Sequence, residues 1–235
     1  MVSKMLSWIK EDCLGPLINE NPNPRAVSYL MEHPEKINWN HLSKNPAAMD
    51  LLMANLDKIR IGWLAINPAA VPYVLKNTPL VNSLASGAIT NDLNMNPAAM
   101  DFFKEHPERI NWGLMSINPA AKELLEANQD KLELWWTYLS GNPAAIEMLK
   151  ANPDKINWEF LSKNTAAIPL LEANPDKIHW TNLSSNPAAI GLLEANQDKI
   201  NWPRLCMNPA AIHLLEANQD RIDWRWISCN PAIFV

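Results

Sequence analysis

The chain has 235 residues, 48% of them hydrophobic, and a formal net charge of −5. That apolar share excludes a disordered polymer, and the negative balance argues against a general grip on nucleic acid or a basic membrane-surface helix. No apolar run approaches the roughly 20 residues that span a bilayer, and residues 1–8 lack the apolar core of a secretory signal.

Residues 1–22 are irregular but keep Leu6, Trp8, Ile9, Leu14, Leu17 and Ile18, which predicts an N-terminal capping unit. From Asn23 onward the tetrapeptide Asn-Pro-Ala-Ala recurs, with small variations, at Asn45, Asn67, Asn96, Asn118, Asn142, Asn164, Asn186, Asn208 and Asn230. The spacings are 22, 22, 29, 22, 24, 22, 22, 22 and 22, so a seven-residue insertion near 78–93 and a two-residue one account for every departure from a 22-residue period.

The unit at residues 186–207 shows the expected local structure. Asn186 can N-cap a helix, Pro187 suits its first position, and Ala188, Ala189, Ile190, Leu192 and Leu193 give an apolar stripe. The spacing predicts a helix of about ten residues, closed by Asn196 in the left-handed conformation that asparagine tolerates. A second, shorter helix opens at Asn201 and turns Trp202 and Leu205 inward. Pro72 and Pro169 fall five residues into their first helices, where they are expected to tighten or kink the turn. One such unit buries too little apolar surface to fold alone, so the copies must stack. The prediction is an all-α, right-handed-type α-solenoid of about ten helix–turn–short-helix repeats, a rod or arc of about 80–100 Å at ordinary helix spacing. Residues 23–235 form the array and 1–22 its cap, in a single domain. The C-terminus stops inside a fresh repeat at Asn230, which leaves a face for Phe234 and Val235 to cover or for another copy to dock on.

Comparing the copies separates packing from surface. Three residues before each asparagine stand Leu42, Leu64, Leu93, Met115, Leu139, Leu161, Leu183, Leu205 and Ile227, an apolar core column. Six before stand Trp39, Trp112, Trp136, Trp158, Trp180, Trp202 and Trp224, with Ile61 and Thr90 as exceptions; indoles wedged between repeats explain this column without a ligand. The asparagines that end the long helices and open the short ones fit capping and turn chemistry. Asp-Lys pairs such as Asp176-Lys177 and Asp198-Lys199 read as solvated turns. Four before each asparagine the residues vary and are rich in aromatics: His41, Trp63, Asp92, Leu114, Tyr138, Phe160, Asn182, Arg204 and Trp226. That is the composition of interface anchors, and His41, Trp63, Tyr138, Phe160, Arg204 and Trp226 are the candidate partner-binding residues. The fifth position after each asparagine (Ser28, Asp50, Pro72, Asp101, Glu123, Glu147, Pro169, Gly191, His213) reads as a solvated face.

Reaction chemistry has no singular cluster to rest on. His33, His41, His106, His179 and His213 lack ligand spacing, His33, His106 and His179 standing where other copies have asparagine. Cys206 replaces the serine of other copies (Ser162, Ser184, Ser228) as a small neutral filler; with Cys13 and Cys229 it forms no disulfide or zinc framework, which suits a reducing interior. No phosphate loop or nucleophile elbow occurs, so no catalytic residue, metal or cofactor is expected. The units quoted, with Asp198-Lys-Ile-Asn-Trp202, resemble a short asparagine/proline/tryptophan repeat of proteins from large DNA viruses of algae and amoebae. The resemblance covers about 20–235 and implies a viral setting, with no activity and no functional residues. The expectation is a non-enzymatic scaffold for a protein partner in the cytoplasm, the host's if viral, without membrane or nucleic-acid contact. The alternative is a self-assembling or virion structural protein that stacks through its terminal repeats, a homo-oligomer joined at the C-terminal end.

Overall fold

The structure, a computed structural model, describes residues 4–59, 61–77 and 88–234. Most of the insertion expected near 78–93 therefore lies outside the described residues, and its last part belongs to the helix Ala88–Met95. The molecule is an all-α repeat solenoid; among the described residues there is no strand, only one antiparallel bridge between Met5 and Phe234.

While the first unit keeps one continuous helix, Pro24–Glu32, the units at Asn45, Asn96, Asn142, Asn186 and Asn208 each hold four short helical pieces rather than two helices. In residues 186–207 they are a 3-10 turn Pro187–Ala189, an α-helix Ile190–Glu194, a second 3-10 turn Gln197–Lys199 and a short α-helix Trp202–Leu205. The expected ten-residue helix is broken at Ala189, whose φ of −94° and ψ of 11° leave the α region. At this break the Asn186 side chain accepts from the Ala188 N–H while its carbonyl takes the Ala189 N–H, which closes a 3-10 turn. The same break puts Pro72 and Pro169 at the first turn of the α-helices Val71–Lys76 and Ile168–Glu172, where their missing N–H is no loss. The kink expected there does not arise.

The closing asparagine also differs from expectation. Asn196 has φ −138°, so no left-handed residue is involved. Its Nδ2 instead donates to the Leu192 carbonyl at 2.9 Å, satisfying an orphan acceptor of the helix end. Asn128, Asn152, Asn174 and Asn218 repeat this bond with Leu124, Met148, Leu170 and Leu214. The short helix is capped as expected, Asn201 accepting from the Arg204 N–H, with His179 Nδ1 in that role for Asn182.

The core column is fully buried in all nine units, from Leu42 to Ile227. The tryptophans of the neighbouring column are half-buried against that core. Over six of these indoles lies the cation of the following unit: Lys58 over Trp39, Lys131 over Trp112, Lys155 over Trp136, Lys177 over Trp158, Lys199 over Trp180 and Arg221 over Trp202, at 4.6 to 5.5 Å. The lysines of the Asp-Lys pairs stand on solvated turns, four of the five exposed, and their cations make this inter-repeat contact as well.

The repeat asparagines form a ladder. Asn186 Nδ2 donates to the carbonyls of Ser162 and Asn164, both at 3.1 Å, and Asn208 does the same to Ser184 and Asn186. Asn67, Asn118, Asn142, Asn164 and Asn230 each bond likewise to the two matching carbonyls of the preceding unit. Asn96, beyond the insertion, keeps the bond to Ala65 at 2.8 Å, so the extra residues leave the register intact.

The ladder closes on itself. Asn45 donates to Asn19 and Asn21, and Asn21 donates to the carbonyls of Ser228 (3.0 Å) and Asn230 (2.9 Å). The first rung is thus Asn21, while Asn23 keeps the capping role, accepting from the Arg25 N–H, and its Nδ2 donates across the seam to the Pro231 carbonyl at 2.9 Å. Gly15 donates its N–H to Ser228 Oγ at 2.8 Å, the bond that Asn201 makes to Ser184 inside the array, and Lys10 lies 5.6 Å over Trp224 as Lys199 lies over Trp180. The Leu6 N–H meets the Ile233 carbonyl at 2.9 Å. The last unit is therefore split: the 3-10 turn Pro231–Ile233 supplies its first half, and residues 5–21, including the 3-10 helix Pro16–Glu20, supply the second. An open rod or arc with an uncovered C-terminal face is not what forms. The array is closed, and its own N-terminal segment fills the gap.

Candidate partner-binding face

The six candidate side chains occupy equivalent places, each one residue before the buried member of a short helix. His41 lies on Trp39–Leu42, Trp63 on Ile61–Ile66, Tyr138 on Trp136–Ser140, Phe160 on Trp158–Leu161, Arg204 on Trp202–Leu205 and Trp226 on Trp224–Ile227. Because the next residue points into the core, these side chains emerge beside the ladder. Trp63, Tyr138 and Trp226 are exposed by 37%, 39% and 36%.

The structure gathers them into two clusters. His41 and Lys44 both pair with the Glu20 carboxylate, the lysine at 2.9 Å, and the Lys44 ammonium lies 4.5 Å over the Trp63 ring. Burial opposes ionisation of Glu20, but the hydrogen bonds and charges of Lys44 and His41 outweigh it and hold the carboxyl below its usual range. In the second cluster Tyr138 meets Phe160 edge to face at 6.0 Å, stacks on Trp135 at 6.0 Å, and Phe160 carries Lys163 at 5.3 Å. Trp135 can approach this closely because it lies over Gly113, where a Cβ would come within 2.9 Å of its ring. Arg204 and Trp226 stand in successive units and are exposed, in neither cluster. The variable column is not uniform: Asn182 is buried, its Nδ2 bonded to the Glu159 carbonyl at 2.8 Å.

Sequence comparison missed a second column of the same face, the residue just before each ladder asparagine. It contributes Glu20, Lys44, Lys163 and Ile117, the last 40% exposed. Variability among the copies was the available signal, since Ile66, Gly141, Ser185 and Met207 also stand there.

Cys206 is buried and its sulfur accepts the Asp223 N–H at 3.3 Å, the role that serine hydroxyls play elsewhere. Burial pushes its thiol up to about 11, as expected of a structural rather than nucleophilic cysteine. Among the described residues, no group of three or more His, Cys, Asp or Glu could hold a metal ion, and no helix is long and apolar enough to cross a membrane. No protein-family model, no curated protein and no solved structure matches this chain.

Proposed function

We propose that the chain is a non-enzymatic repeat scaffold that holds a protein partner on the face carrying His41, Trp63, Tyr138, Phe160, Arg204 and Trp226. One observation carries this reading. Trp63, Ile117, Tyr138 and Trp226, four of the exposed large apolar residues, fall on two adjacent columns beside the ladder. The helix face bearing Asp50, Asp101, Glu123 and Glu147 is exposed and charged instead. Exposed aromatics with interspersed cations form the anchoring composition of protein interfaces. A viral setting and the host cytoplasm accompany this reading through the repeat's resemblance. Stacking on a second copy through the terminal repeats is disfavoured, since residues 5–23 cover the surface it would use. Affinity capture from host lysate tests the scaffold: wild-type protein should retain a partner that a Trp63→Ala, Phe160→Ala, Trp226→Ala triple variant loses. Equal recovery by a folded triple variant ends the proposal.

A further inference from the structure

The Trp63 end of the face is not closely filled. A cleft of about 370 Å³ opens beside the indole, and among the described residues its walls are Gly62, Trp63, Ile66 and Asp92. It lies where the tryptophan column is interrupted, at Ile61 and Thr90. Asp92 is half-buried and has no hydrogen-bond or ion-pair partner among the described residues. Burial alone holds its carboxyl above the usual aspartate range, because nothing offsets the lost water. Glu20, also partly buried on this face, has both His41 and Lys44.

An unpaired carboxylate beside an indole and an aliphatic wall matches a group with a positive head and an apolar stem. The fold itself repeats this chemistry, placing a lysine or arginine over seven of the tryptophans in the inter-repeat column and Lys44 over Trp63. Lys44 is paired with Glu20 and forms no ion pair with Asp92. We propose that the cleft of Trp63, Ile66 and Asp92 receives a lysine or arginine side chain of the partner protein. This rests on the scaffold reading and names the chemistry of one of its contacts. A net charge of −5 favours encounter with a basic partner.

The test titrates 15N-labelled protein with Nα-acetyl-lysine methylamide, Nα-acetyl-arginine methylamide and the uncharged Nα-acetyl-norleucine methylamide. The cationic probes should give saturable shifts of the Gly62 amide and the Trp63 Nε1–H, and norleucine should not. Asp92→Asn should weaken binding by about 5-fold or more through loss of the ion pair. Gly62→Leu should abolish it by filling the cleft, since a Cβ at Gly62 meets nothing within 4 Å and the fold is spared. An equal response to norleucine, or unchanged affinity in Asp92→Asn, overturns the proposal. Failure of the triple-alanine capture with intact probe binding would remove the scaffold and leave the cleft; the reverse would remove the cleft alone.

Discussion

Asparagine does three different jobs in this chain, and the consequences of losing it differ by position. Asn186 caps its own turn through Oδ1 and donates two buried bonds through Nδ2. Alanine there strips a donor from two buried carbonyls, at about 1–3 kcal/mol each, and removes a cap worth about 1 kcal/mol. Chemical denaturation should therefore show Asn186→Ala destabilised by about 3–5 kcal/mol. Asn196 donates a single bond at a half-buried turn, so its alanine variant should lose only about 1 kcal/mol. Equal losses at the two sites would contradict the ladder.

The short helical elements explain why prolines are tolerated so freely. Proline inside a continuous helix costs about 3 kcal/mol. The break after each Ala-Ala pair makes the fifth residue after the repeat asparagine a first-turn position, and Pro169 sits there. Pro169→Ala should accordingly change stability by less than about 1 kcal/mol, the range of unfolded-state effects. A gain of about 3 kcal/mol on thermal denaturation would mean that the unit is one continuous helix after all. The cation over each indole belongs to this scale too, since it ties one unit's turn to the short helix of the unit before.

Closure makes the ends of the chain interdependent. Removing residues 1–23 takes away the second half of the split unit, and with it the groups bonded to Ser228, Asn230 and Pro231. Hydrogen exchange on the truncated protein should show lost protection at 208–230 as well as at 24–45, with the units of 118–186 keeping theirs. Protection retained at 208–230 would contradict a sealed seam. Glu20, which ties the N-terminal segment to the first repeat through His41 and Lys44, gives that junction a pH dependence. Its carboxyl is held below the ordinary value of about 4.3, so its contribution is complete above that value and fades as pH falls through the lower folded one. Glu20→Gln should lower stability at neutral pH and flatten its decline between about pH 5 and 3. A parallel decline in both proteins would count against this role.

What the sequence determined by itself is the unit: its period, its N-capping asparagines, its core column and its all-helical character. These follow from interactions within one 22-residue span, where hydrophobic spacing and capping residues act locally. It also singled out the variable column, because copies that pack alike differ only where packing leaves them free. The second task of each repeat asparagine was hidden, since a side chain whose oxygen caps its own turn looks the same whether or not its nitrogen reaches the neighbouring unit. Only the tertiary structure decided that the array closes. Closure sums a small rotation at every interface, set by side-chain packing, and then asks whether Gly15 and Asn21 fall opposite Ser228 and Asn230. The broken repeat at Asn230 was visible in the chain, and residues 1–22 read only as an irregular cap; that residues 5–21 complete the broken repeat was decided in space.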